Sequence, residues 1–161
     1  RGLGDVYKRQ VIELVKKSGY PGMKILQFAF DSREESDYLP HNYTHNCVVY
    51  TGTHDNDTVM GWYDTLKGAD KKLCDDYLRL KNADGEPIPR EQIPWEFVRA
   101  AMSSVADMAI IPMQDYLGLG SEARINIPST LGINWMWRMG NGDFTKELAG
   151  RIRSMTKLYG R

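Results

Sequence analysis

The chain has 161 residues, 42% of them hydrophobic and 26% charged, which fits a globular domain and excludes a disordered one. Lys+Arg and Asp+Glu are 21 each, so the net charge of zero gives no electrostatic case for nucleic acid or an anionic membrane as partner. No apolar run approaches the ~18 residues a membrane span needs, and Cys47 and Cys74 stand in no metal or redox spacing, so reduced thiols in a cytoplasmic protein are expected.

Residues 1–10 begin without Met and run at once into a helical pattern. They read as a non-native head on a fragment, with residues 11–161 as the domain proper. Val11 to Ser18 carries Val11, Ile12, Leu14 and Val15 on one side and Glu13 and Lys17 one turn apart on the other, which predicts an amphipathic helix stopped by Gly19. Tyr20-Pro21-Gly22 is a turn. Met23 to Phe30 is a mostly apolar run of strand length ending at Asp31, and a charged loop from Ser32 to Asn46 leads to a second strand, Val48 to Thr51.

The polar run Thr53-His54-Asp55-Asn56 follows that strand directly. Val59, Trp62, Tyr63 and Leu66 then recur at helical spacing behind Asp57 or Thr58 as cap. Asp70 to Leu80 is a further helical stretch, residues 82–89 are loop, and Pro94 opens a helix through Ser104. Met108 to Met113 is the third strand candidate, with pairing expected to weaken at Pro112, which cannot donate to a ladder. Residues 118–142 are irregular. The last helix, with Asp143 as its expected cap, places Phe144, Leu148, Ile152 and Met155 on one face.

Each of the three apolar runs is followed by an acid: Asp31, Asp55 and Asp115. With helices between them, this is the pattern of an α/β protein with a parallel sheet whose strand C-termini form the working edge. Three strands cannot close a barrel, so the unit is a small open sheet or a slice of a larger one.

Asp55 is the leading candidate for chemistry. A carboxylate accepts two hydroxyl hydrogens at once, which suits a vicinal diol on a sugar, and a bond to a 2-hydroxyl strengthens as the ring gains oxocarbenium character. His54 adds a second sugar contact in this reading, and in the competing one the acids only cap the next helix. Asp55-Asn56-Asp57 does not fit a calcium loop, because Gly falls at the seventh place and Leu66 occupies the position of the bidentate Glu. His41 and His45 read as loop histidines without a metal, and Trp62 and Trp95 as core residues.

Taken together, the segment from Gly22 to Phe30, His41-Asn42-Tyr43, the run from Tyr50 to Thr58 with Gly61-Trp62, Gln114-Asp115, Arg124-Ile125-Asn126, and Asn134-Trp135 with Trp137-Arg138 resemble the 4-α-glucanotransferases, the amylomaltases of glycoside hydrolase family 77. The resemblance runs from about Val11 to the C-terminus and covers about the last third of such an enzyme. It implies the C-terminal part of a (β/α)8 TIM barrel, strands six to eight with their helices. It also implies transfer of α-1,4-glucan segments to the 4-hydroxyl of glucose or maltodextrin acceptors, with retention and without metal or cofactor. In that scheme Asp55 is the transition-state stabiliser, His54 binds the sugar in the reacting subsite, and Asp31 and Asn126 contact glucan hydroxyls. The nucleophile Asp and the acid/base Glu would lie upstream, and Gly2-Leu3-Gly4-Asp5 lacks the expected Glu, so the chain by itself is expected to be inactive. An α-glucan hydrolase of the amylase clan and a non-catalytic carbohydrate-binding module are the alternatives.

Overall fold

In a computed structural model, residues 3–161 are described, with side chains from Gln10 onward. Arg1 and Gly2, the start of the segment read as a foreign head, lie outside the described residues. Helix α1 (Leu3–Ser18) runs through the expected boundary at residue 10 and stops where Gly19 takes a φ of +72°. Strand β1 (Gly22–Ile25) follows, then β2 (Cys47–Tyr50), α2 (Val59–Thr65), α3 (Gly68–Leu78), α4 (Ile93–Met102), β3 (Met108–Ile110), α5 (Met113–Leu117) and α6 (Lys146–Leu158). The α/β reading therefore holds: the sheet is parallel and three-stranded, in the order β1-β2-β3.

The third strand, expected over Met108–Met113, ends at Ile110, because Pro112 stands at the cap of α5 and Met113 is already that helix's first residue. Two further features depart from the sequence reading. The first strand is only four residues long, ending at Ile25, and Leu26–Ala29 form a 3-10 turn. The turn wins because it buries Leu26, Gln27, Ala29 and Phe30 together, a spacing that an extended strand with alternating faces cannot deliver. The Gln27 amide N–H also donates to Thr51 O at 3.3 Å, which ties this turn to the end of β2. Consequently no α-helix separates β1 from β2; the connection holds only the turn at Leu26–Ala29 and a second at Pro40–Asn42.

The remaining departure is the cap of α6. Thr145, in extended backbone, accepts from Leu148 N at 3.1 Å, whereas the Asp143 carboxylate accepts from Gly140 N at 2.7 Å and closes the preceding turn. Phe144 thus precedes the helix and is exposed, while Leu148, Ile152 and Met155 pack with Trp95, Val98 and Met102 as the periodicity required.

The main core lies where the 3-10 turn after β1 meets α2, α3 and α4. Phe97 is fully buried there, with its ring edge-on to Phe30 (6.0 Å between centroids), Trp62 (5.8 Å) and Tyr63 (6.5 Å). Trp95 is buried as expected and carries Arg151 over its ring at 3.7 Å; Trp62 is half-buried at the edge of the core. On the helix side of the sheet, Cys47 and Val49 of β2 pack with Ala101, Ala106 and Tyr43. The opposite side is thinly covered: Met23, Val48 and Met108 lie in one rung of the register, and Met23 and Met108 are more than half exposed. Both cysteines are free and buried, and burial raises both thiols above their ordinary range. Among the described residues no helix is long and apolar enough to cross a membrane.

Candidate active site

The loop from Gly52 to Thr58 joins the end of β2 to the start of α2, and its polar side chains divide into two groups. Asn56 closes the loop on itself, its Oδ1 accepting from Thr53 N (2.9 Å) and Thr53 Oγ1 (2.8 Å). Asp57 accepts from Thr58 N (2.8 Å) and from Ser121 Oγ (2.6 Å), while its carbonyl accepts from Gln27 Nε2 (2.9 Å). Thr58 caps α2 by accepting from Gly61 N at 3.1 Å. Capping and loop closure are thus performed by Asn56, Asp57 and Thr58. His54 and Asp55 are left half-exposed, with side-chain exposures of 51% and 50%.

Asp55 is not idle in that position. Its Oδ1 accepts from Asn126 Nδ2 at 2.6 Å and lies 3.3 Å from His54 Nε2. Its carbonyl accepts from Arg124 Nη2 at 2.6 Å, and Arg124 Nε donates to Asn126 O at 2.8 Å, so one guanidinium ties the two segments together. Among the described residues no protein donor reaches Asp55 Oδ2. The carboxylate is therefore oriented through one oxygen and open at the other.

Behind His54 stands Trp135, ring centroids 4.9 Å apart and planes inclined by 37°. Trp135 holds a φ of +65°, a left-handed backbone that a bulky residue adopts at a cost of about 1–3 kcal/mol. Its N–H donates to Ile125 O at 2.6 Å, and Asn134 next to it accepts from Ile127 N at 3.0 Å and donates to Thr130 Oγ1 at 3.0 Å. The irregular segment after Arg124 thus folds back to present an indole beside the histidine. In the sequence Trp135 and Arg124 stand only within the family-resembling motifs, with no role of their own. Nothing in linear spacing joins position 135 to position 54.

Of the four residues singled out from sequence, the structure brings His54, Asp55 and Asn126 together and leaves Asp31 apart. Asp31 forms a closed pair with its neighbour: Arg33 Nε donates to Oδ1 (2.8 Å), Nη2 to Oδ2 (2.6 Å) and the Arg33 amide to Oδ1 (3.0 Å). The guanidinium and the amide together hold this carboxyl down to about 2. Asp115, the acid after β3, does not point into the rim at all. It is buried, accepting from Thr51 Oγ1 (2.5 Å) and Val59 N (2.8 Å), and burial pushes its carboxyl up to about 6.

Beneath the loop a cavity of about 20 Å³, lined in part by Thr53, Asp57, Asp115 and Arg124, has room for about one water molecule. Among the described residues no group of three or more His, Cys, Asp or Glu could hold a metal ion.

Fold and site together define an α/β chain whose parallel sheet carries an open, oriented carboxylate just beyond a strand C-terminus. The 4-alpha-glucanotransferase family profile matches residues 3–143. The 4-alpha-glucanotransferase of Clostridium butyricum is 48% identical over 153 residues, covering 94% of this chain and 30% of its own length. The chloroplastic/amyloplastic enzyme of Solanum tuberosum is 46% identical over 159 residues, covering 97% of this chain and 26% of its own. Among solved structures, the amylomaltase of Streptococcus agalactiae in complex with acarbose superposes with a TM-score of 0.85 at 35% identity, over 94% of this chain and 30% of that one. The chain belongs to the 4-alpha-glucanotransferase family, and it spans under a third of the length of these relatives.

Proposed function

We propose that this chain forms the C-terminal part of the (β/α)8 barrel of a retaining 4-α-glucanotransferase, with β1, β2 and β3 as barrel strands six, seven and eight and residues 11–161 as the enzyme's own sequence. Three features of the sheet support a slice of a barrel. All its strand pairs are parallel, β1 and β3 are open edges, and one face is apolar yet thinly covered, as the inward face of a barrel would be without its remaining strands.

In this reading Asp55 stabilises the transition state of glycosyl transfer. A retaining enzyme uses one carboxyl as nucleophile and another as acid/base, with positive charge developing on the sugar ring between them. A third carboxylate accepting hydroxyl hydrogens from that ring binds more tightly as the charge develops, which lowers the barrier selectively. His54 contributes a further contact to the same sugar, backed by the Trp135 indole, and Asn126 keeps the carboxylate aimed while offering its own carbonyl oxygen to glucan. Asp31, presented together with the Arg33 guanidinium, contacts glucan outside the reacting subsite. The substrate is a maltodextrin or α-1,4-glucan, and transfer is favoured over hydrolysis by membership of a glucanotransferase family. Buried, unpaired Cys47 and Cys74 are in keeping with a reducing, cytoplasmic setting.

The observation that carries this reading is the half-occupied Asp55 carboxylate: one oxygen bound to Asn126, the other open. A chimera tests it, with residues 11–161 replacing the aligned segment of the Clostridium butyricum enzyme. Incubated with maltotriose, the chimera is expected to yield glucose and longer maltodextrins. Asp55→Asn is expected to lower its turnover by about three orders of magnitude or more at unchanged circular dichroism. Near-normal turnover in that variant removes Asp55 from the proposed role. The 161-residue chain alone, offering one of the three carboxylates, is expected to give no product, and appreciable product refutes that part.

A further inference from the structure

The helix α5 lies just after β3 and bears two adjacent polar residues that are almost wholly buried, Gln114 at 3% exposure and Asp115 at 1%. Each reaches a different half of the candidate site. Asp115 Oδ2 accepts from Thr51 Oγ1 at the end of β2, and its Oδ1 accepts from Val59 N, the first residue of α2. These two anchors bracket the loop of residues 52–58, which carries His54 and Asp55. Gln114 Nε2 donates to Ala123 O at 3.2 Å, immediately before the Arg124-to-Asn126 segment.

We propose that Gln114 and Asp115 are positioning residues: a buried pair that sets the Asp55 loop and the Asn126 segment against each other from beneath. The proposal rests on the reading of Asp55 as a site residue and deepens it.

The chemistry of the pair fits the task. A carboxylate is acceptor-only and presents two oxygens at fixed spacing, so one group can hold a hydroxyl donor and an amide donor on two different elements. Asn in its place keeps the shape and can still pair with both, its oxygen accepting from Val59 N and its amide donating to the Thr51 hydroxyl, but it removes the charge that strengthens both bonds. Burying a charge is costly unless its partners are well placed, and here each carboxylate oxygen has a donor, Thr51 Oγ1 on one and Val59 N on the other. The ends of the loop are closely packed, since a Cβ on Gly61 would stand 2.3 Å from Ser121 Oγ and 2.7 Å from Asp57 Oδ1, and one on Gly52 would stand 2.6 Å from Gln27 Nε2, while the pair and the loop share the water-sized cavity beneath. Simple filling of the core would not require two polar residues, each with its donors or acceptors directed at one half of the site.

Segment-resolved amide hydrogen exchange on the full 161-residue chain tests the proposal. Asp115→Asn is expected to speed exchange of residues 52–59 by about tenfold or more, the scale of losing a charge-assisted hydrogen bond, with α4 unchanged. Gln114→Met is expected to do the same for residues 123–126 only. Thr51→Val, which leaves the buried Asp115 Oδ2 without its donor, is expected to speed exchange of residues 52–58 in the same direction. Unchanged exchange in these segments, or an equal rise across α4, overturns the proposal, because the latter means the pair only supports overall stability. In the Clostridium butyricum chimera, Gln114→Met is expected to lower kcat for maltotriose at least about fivefold with KM within about twofold, since an aimed but misplaced carboxylate loses transition-state contacts first. A chimera with native Gln114 and Asp115 that performs no transfer sinks the reading of Asp55 and leaves the exchange result to judge the pair.

Discussion

Asn126 Nδ2 donates to Asp55 Oδ1 at 2.6 Å, a bond between residues 71 positions apart that decides which carboxylate oxygen is left for a ligand. Asn126→Ala removes the donor without touching the core, since Asp55 is exposed and Asn126 is only half-buried and belongs to no core cluster. Turnover of the chimera on maltotriose is expected to fall by about 10- to 100-fold, as for the loss of one aimed donor in a reacting site. The thermal midpoint is expected to stay within about 2 °C, the scale of a surface change in a protein of that size. Unchanged kinetics would mean that Asp55 is held by Arg124 and the loop alone.

The pH dependence of stability has contributions of opposite sign. Asp115 has its carboxyl raised from 3.8 to about 6, first by burial and further by the nearby Asp57 carboxylate. The folded state therefore binds the proton more tightly, and the stabilisation this gives is full below pH 3.8 and lost as pH rises through about 6. The size is of order 3 kcal/mol. Asp31, lowered to about 2, acts in the reverse sense: its contribution is present above 3.8 and lost as pH falls toward 2. Urea denaturation between pH 4 and 7 is expected to show the Asp115→Asn chain with a flatter profile than the native one. Parallel profiles would show that the Asp115 carboxyl titrates at its ordinary value.

The core should respond to Phe97 more than to any rim residue. Its ring is fully buried and meets Phe30, Trp62 and Tyr63 edge-on. Phe97→Ala is expected to cost about 3–5 kcal/mol, a large part of the stability of a single domain. Phe144→Ala, at a half-exposed position ahead of α6, is expected to cost under about 0.5 kcal/mol. Equal costs in urea titrations would contradict the placement of the core.

The thinly covered sheet face predicts association. Met23 and Met108 flank Val48 in one rung of the register and stand 57% and 53% exposed, near further exposed apolar residues of α1. Sedimentation of the 161-residue chain is expected to show species larger than a monomer at micromolar concentration. Met23→Lys with Met108→Lys is expected to shift the distribution toward the monomer. A monomeric native chain would indicate that this face is tolerated in water.

Several elements were legible from the linear pattern because their causes are local. Gly19 ends α1, Thr58 caps α2, and the 3.6-residue spacing of Leu148, Ile152 and Met155 settles which side of α6 is buried. The motifs between Gly22 and Arg138, taken in order, mark the family, and the run from Tyr50 to Thr58 singles out Asp55. The first strand was overextended for a reason that is not local. An apolar run fits a strand and a buried 3-10 turn equally well, and the choice at Leu26–Ala29 is made by packing on α2 and α4 and by Gln27 bonding to Thr51 and Asp57.

By itself, then, the sequence determined the periodic elements, their caps and stops, and the residue types gathered after β2, since each follows from side-chain chemistry within a few positions. Only the tertiary structure decided which acids act as scaffold and which stay open. Asp31, Asp55 and Asp115 look alike in the chain, each an acid after an apolar run. In space one is paired with Arg33, one is buried between Thr51 and Val59, and one is aimed by Asn126 with an oxygen to spare. The state of a carboxylate is set by the donors that surround it and by its access to water, and those donors come from segments that meet only when the chain has folded.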